Sequence, residues 1–307
     1  MQKLTLLLFF LGFVFASNAY SQSMVVKLWP NEVPGAILAP DYVENILPRG
    51  ELQFIEKISS PEMLVYLAPA KNATKTAMLV CPGGGYKYIS IVNEGYAMAR
   101  WLNEQGINAF ILKYRLPSDA IMKDKKIGPL QDVQEAMRII RRNSSQWNID
   151  PAKVGVMGFS AGGHLASTLC THFSDSVYEA SDGASARPDF SVLVYPVISM
   201  DDSITHSGSK EHLLGTQPDA ALVVEYSNEL QVTKDTPPAF LVHATDDTGV
   251  KVENKLNYYL ALKKNKVTAE MHIYQKGGHG FGLGKENSTE SSWPASCIKW
   301  LKVNGWL

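Results

Sequence analysis

From Thr76 onward, continuous apolar runs alternate with segments whose apolar residues recur every three or four positions. "TAMLVCP", "INAFILKYRL", "KVGVMGF", "FSVLVYPVI", "AFLVHAT" and "AEMHIYQ" read as strands covered on both faces. Between them, "YAMARWLNEQG", "LQDVQEAMRIIRRN", "GHLASTLCTHF", "KVENKLNYYLALKKN" and "PASCIKWLKVNGW" read as amphipathic helices. Gly106 is the expected C-cap of the first. The second carries an apolar stripe of Leu130, Val133, Met137 and Ile140, with Asp132 and Glu135 early and Arg138, Arg141 and Arg142 late, as the helix dipole favours. Val252, Leu256, Tyr259 and Leu260 mark the expected inward side of the fourth. Strands separated by such helices predict a mostly parallel, doubly wound α/β sheet with helices on both faces. Ahead of this rhythm, "MVVKLW" and "MLVYLAP" alternate as early strands, and "LQFIEKIS" forms a weaker third.

Two stretches interrupt the alternation. Residues 174–189 are small and polar, and residues 199–238 form a long insertion with room for two short helices. The second is the expected wall or cap of a site, because long excursions from a sheet often border one. At the other end, Lys3, an apolar run from Leu4 to Phe15 and small residues at Ser17, Ala19 and Ser21 predict a signal peptide over residues 1–21. Cleavage after Ala19 or Ser21 leaves a single domain over residues 22–307, secreted or periplasmic, with no membrane anchor in the mature chain.

Composition narrows the picture. The chain has 307 residues, a formal net charge of −1 and 45% hydrophobic residues, which suits a sizeable core. Its 29 basic residues form no tract, so nothing argues for a nucleic-acid or anionic-membrane partner. Cys81, Cys170 and Cys297 sit in apolar or small-residue surroundings and read as buried thiols. Their spacing is not that of a zinc site.

Candidate chemistry lies where apolar runs end. Gly158 and Gly162 flank Ser160 where a strand gives way to a helix. A serine at the tip of so sharp a turn needs small neighbours, and the helix behind it aims its N-terminus at developing negative charge. "CPGGGY" follows an earlier strand, so the amides of Gly84 and Gly85, with that of Ala161, could serve an oxyanion. "GGGYKYIS" has neither the P-loop nor the dinucleotide-loop spacing. Asp246 and Asp247 come just past a strand end, and His279 lies in the glycine-rich "QKGGHGFG". Tyr86, Asn93, Glu94, Tyr195 and Pro196 follow other strand ends near the same edge and are candidate substrate contacts. Asp132 and Arg115 read as structural.

Together, "PGGGY", "GFSAGGHLA", "LVHATDD" and "YQKGGHGFG", with "WLNEQGI", "KYRLP" and "PLQDVQEAMRIIR" between them, resemble the acetyl xylan and feruloyl/acetyl esterase-like branch of the bacterial α/β-hydrolases. That branch is related to hormone-sensitive lipase-type esterases. The resemblance spans roughly residues 60 to 303 and implies an α/β-hydrolase fold with its active site at the strand C-terminal edge. It implies Ser160 as nucleophile, Asp247 as acid and His279 as base, in the family's chain order, with Gly84, Gly85 and Ala161 as oxyanion donors. It further implies an acetylated polysaccharide or oligosaccharide substrate and no metal or organic cofactor. A feruloyl or general short-chain esterase, a peptidase and a non-catalytic carbohydrate-binding protein are the competing expectations. Pro82 stands where lipase-type relatives have the histidine of H-G-G-G, so this loop must be braced differently, and Lys251 stands where relatives often have proline.

Overall fold

The computed structural model describes residues 24–180 and 182–307, so the expected signal peptide over residues 1–21 lies outside the described residues. Strands form where the apolar runs occur. The amino-terminal part supplies β1 (Met24–Lys27), β2 (Asn45–Arg49), β3 (Leu52–Glu56), β4 (Glu62–Tyr66), β5 (Ala77–Cys81) and β6 (Tyr88–Ser90). Alternation then runs through α1 (Ala97–Glu104), β7 (Asn108–Lys113), α2 (Gly128–Arg142), β8 (Val154–Phe159), α3 (Ser160–His172) and β9 (Ser191–Val194). After α4 (Ser207–Leu214) and α5 (Ala220–Glu225) come β10 (Ala239–Ala244), α6 (Glu253–Lys264), β11 (Ala269–Tyr274) and α7 (Trp293–Val303).

Eight strands form one sheet in the order β1-β4-β7-β5-β8-β9-β10-β11. The β1/β4 and β4/β7 pairs are antiparallel, and every later pairing is parallel. Every residue of β5, β7, β8 and β10 is buried, which requires cover on both faces. This is the α/β-hydrolase architecture. Because the strands from β5 to β11 run parallel, their C-terminal ends share one edge, and the connecting loops can meet there.

The apolar pattern did not reveal β2 and β6, which pair with β3 in a separate three-stranded antiparallel sheet. The expected inward face of α6 also needs correction. Asn254, Lys255, Tyr258 and Leu262 are its buried residues, and Leu260 is 59% exposed. Asn254 is drawn inward because its side chain bonds the backbone of Ile198, Ser199 and Ile204, so the helix is oriented by polar contacts to the insertion. The polar stretch of residues 174–189 wraps α2, whose Gln131, Gln134, Arg138 and Arg141 donate to the carbonyls of Val177, Asp175, Ala184 and Ser185. Asp132 and Arg115 form a fully buried ion pair, and Asp132 also accepts from Trp29 Nε1. All three cysteines are buried and free.

Candidate active site

Ser160 opens α3 directly after β8, with φ at +50° in the left-handed region that a residue with a side chain seldom occupies. The turn holds because its neighbours leave room. A methyl group at Gly158 would stand 2.3 Å from the Gly162 carbonyl oxygen, and one at Gly162 would stand 2.1 Å from that of Cys81. The close packing lets β8 run straight into α3 beside β5, lifting the Ser160 hydroxyl to the sheet edge.

His279 comes from the loop after β11. Its Nε2 lies 2.8 Å from Ser160 Oγ, and its Nδ1 lies 2.7 Å from Asp247 Oδ2, so three distant stretches of chain form one hydrogen-bonded line. Asp247 Oδ1 accepts from the amides of Gly249 and Val250 at 2.9 and 2.8 Å. Burial would raise the Asp247 pKa, but the hydrogen bonds from His243 and His279 outweigh it and hold the carboxylate well below its usual range. His243 Nε2 stands 3.2 Å from Asp247 Oδ2 and donates to the Val250 carbonyl, so this strand-end imidazole supports the carboxylate from behind. Asp246 Oδ1 accepts from the Gly278 amide at 2.8 Å and ties down the histidine loop.

The glycine loop after β5 faces the same hydroxyl. Gly84 and Gly85, at φ of +137° and +63°, line the cavity with Ser160 and His279. Among the described residues no acceptor faces the amides of Gly84, Gly85 or Ala161. Pro82 is braced through its carbonyl, which accepts from Tyr114 Oη at 2.8 Å. Gly83 N donates to Glu94 Oε2 at 2.7 Å, and Glu94 Oε1 accepts from Tyr195 Oη at 2.9 Å. Burial raises the Glu94 pKa against the opposing pull of those two donors.

The structure brings Asn93 and Glu94 to the cavity, and Asn93 Nδ2 also holds the Gly280 carbonyl at 3.1 Å. The other candidate substrate contacts point elsewhere. Tyr86 is 2% exposed because its hydroxyl bonds His164 Nδ1 inside the core. Tyr195 is fully buried, with its hydroxyl between Glu94 and the Gly282 amide and its ring edge-on to His279 at 5.0 Å. Pro196 is buried against Gly163. These three build the site from beneath, since their side chains are committed to bonds or packing within the fold.

The cavity measures about 360 Å³, and residues not foreseen from sequence complete its wall. Leu52, Phe54 and Tyr88 come from the small sheet, and His206 and His212 come from the 199–238 insertion. Among the described residues no cluster of metal-ligating side chains occurs, and no helix is long and apolar enough to cross a membrane.

The BD-FAE family profile matches residues 63–262. The chain belongs to the BD-FAE family. Among solved structures, this BD-FAE chain resembles an acetyl ester-xyloside bifunctional hydrolase from Caldicellulosiruptor lactoaceticus, with a TM-score of 0.80 and 37% identity over 95% of this chain and 100% of that one. It is 42% identical over 218 residues to an acetylxylan esterase of Xylanibacter ruminicola, covering 70% of this chain and 42% of the relative. It is 36% identical over 246 residues to endo-1,4-beta-xylanase B of Butyrivibrio fibrisolvens, covering 79% of this chain and 38% of that protein. The BD-FAE chain thus spans about two fifths of the length of these two relatives.

Proposed function

We propose that this protein is a secreted serine carboxylesterase that removes O-acetyl groups from a polysaccharide through an acyl-enzyme. The observation that carries this reading is the Asp247–His279–Ser160 line ending beside backbone amides that have no acceptor among the described residues. Such a line moves a proton and such amides hold an oxyanion, which are the two requirements of acyl transfer from an ester. The acetylxylan esterase and acetyl ester-xyloside hydrolase relatives support an acetylated glycan as substrate. The amino-terminal pattern of residues 1–21 supports secretion. His206, Gly208 and His212 on the cavity support residues 199–238 as an inserted wall of one domain.

The geometry supports a two-step acyl-enzyme mechanism. With Asp247 accepting from Nδ1–H, the His279 Nε2 lone pair faces Ser160 Oγ and takes its proton as Oγ attacks the ester carbonyl carbon. Negative charge on the carbonyl oxygen is met by the amides of Gly84, Gly85 and Ala161 and by the positive end of α3. Collapse breaks the bond to the sugar oxygen, which leaves with the proton from His279. Water then attacks the acetyl-enzyme by the same route, restoring Ser160 and releasing acetate.

Acetate release from acetylated xylan by the purified protein tests the reading, with Ser160→Ala as the control. Release is expected from the parent protein alone. Release that survives in Ser160→Ala, or failure of a serine-directed fluorophosphonate to label the folded parent protein, refutes it. A panel of acetyl, longer-chain and feruloyl esters separates deacetylation from the other esterase activities.

A further inference from the structure

Two imidazoles on the insertion face the cavity in opposite hydrogen-bonding states, and their partners determine which is which. His206 precedes α4, and its Nδ1 accepts from the Ser209 amide at 3.1 Å, with Ser209 Oγ at 2.8 Å. An amide can only donate, so Nδ1 carries no proton and the ring hydrogen sits on Nε2. His212 Nδ1 lies 2.5 Å from the Gly208 carbonyl oxygen. A carbonyl can only accept, so this Nδ1 carries a hydrogen, and on the neutral ring Nε2 is then a bare lone pair. Neither Nε2 has a hydrogen-bond partner among the described residues, and both rings line the cavity that holds Ser160 and His279.

We propose that His206 and His212 form a donor–acceptor pair that binds hydroxyl groups of the sugar bearing the ester. A hydroxyl both donates and accepts, so it satisfies both imidazoles. A carboxylate would suit His206 and be repelled by the lone pair of His212. Burial, the largest cause, lowers the His206 pKa and so disfavours a second ring proton on Nδ1. The small sheet supplies the other half of a sugar site. Phe54 and Tyr88 pack edge-to-face at 4.8 Å, and Arg49 sits over both rings at 5.0 and 5.6 Å, fixing an apolar wall for the C–H face of a pyranose. Polar readers on the insertion and an aromatic wall on the small sheet therefore flank one nucleophile. Neither is needed for an ester without a sugar.

The proposal rests on the esterase reading, and the test separates the two. His206→Asn keeps a side-chain oxygen to cap Ser209 and removes the distal N–H, whereas His206→Gln keeps a distal N–H. His212→Asn keeps a donor to Gly208 and removes the distal acceptor. The quantity measured is kcat/KM on acetylated xylo-oligosaccharide divided by kcat/KM on p-nitrophenyl acetate, with thermal melts confirming that each variant folds. Each Asn variant is expected to lower this ratio about tenfold, through KM on the sugar ester, with His206→Gln recovering part of the loss. A ratio within about twofold of the parent in both Asn variants overturns the proposal. So does a fall carried equally by both substrates, which would mean that the rings serve the chemistry or the fold. A parent protein that cleaves p-nitrophenyl acetate but no acetylated glycan instead sinks the substrate reading, and the pair with it.

Discussion

Glu94 offers the sharpest test of how the oxyanion loop is held, because one buried carboxylate links that loop to the support of His279. Oε2 takes the Gly83 amide at 2.7 Å and Oε1 takes the Tyr195 hydroxyl at 2.9 Å, while Tyr195 in turn accepts from the Gly282 amide at 3.1 Å and packs against His279. Glu94→Gln keeps the shape but offers only one acceptor. If that oxygen stays on Gly83, the new amide group meets Tyr195 Oη, which already accepts from Gly282, and the tyrosine proton loses its partner. A bond to a charged acceptor contributes about 1.5–3 kcal/mol and a neutral one about 1, so Gly83 is held more weakly by about 0.5–2 kcal/mol. The full loss of an oxyanion donor, about 3 kcal/mol, is the ceiling. Turnover of p-nitrophenyl acetate should therefore fall about 2–30-fold in kcat, with KM moving far less. Glu94→Ala, which satisfies neither donor, should fall further. A folded Glu94→Gln protein that retains kcat within about twofold would show that the glycine loop needs no such tie.

Three further outcomes follow from the same contacts. Gly84→Ala should abolish turnover or prevent folding, since the methyl group would stand 2.0 Å from the Tyr88 carbonyl oxygen at a φ of +137°; parent-like kcat would refute the loop geometry. The folded-state pKa of Asp247 is depressed, so its contribution to stability is present above the unfolded carboxylate range and is lost as pH falls through the folded value. Thermal melts of Asp247→Asn should accordingly converge on those of the parent in acid, and a gap that stays constant with pH contradicts this. Lys255 is buried, its only hydrogen-bond partner among the described residues being the His272 carbonyl, and burial lowers its pKa to about 6. Protons then bind the unfolded chain preferentially between pH 10.5 and about 6, and stability drops as pH falls through that window. Lys255→Met should remove the slope and stabilise the protein at neutral pH by on the order of 3 kcal/mol, so an unchanged or lower melting temperature there would refute it.

Much of the central sheet could be read from the chain because apolar runs bounded by glycine and proline have few other uses. The stripe of Leu130, Val133, Met137 and Ile140 on α2 is buried as its spacing predicts. Patterns failed where polar groups do the packing. Lys255 and Asn254 face inward on α6 because the His272 carbonyl satisfies the first and backbone groups of Ile198, Ser199 and Ile204 the second, and an apolar count cannot register that. Tyr195 followed a strand end and so read as a substrate contact, whereas its hydroxyl is taken up by Glu94 and the Gly282 amide, both far away in sequence.

Local sequence alone determined the sharp turn at Ser160, since small residues at Gly158 and Gly162 are a steric condition written within a few positions. It also determined the mostly parallel sheet, through runs that can be buried only between two layers. Tertiary structure decided the rest: which aspartate meets His279, which amides remain open, and that His206 and His212 face Ser160 across one cavity. Those relations depend on where separate loops end in space. A hydrogen bond falls away within about an ångström, and spacing along the chain does not specify position that finely.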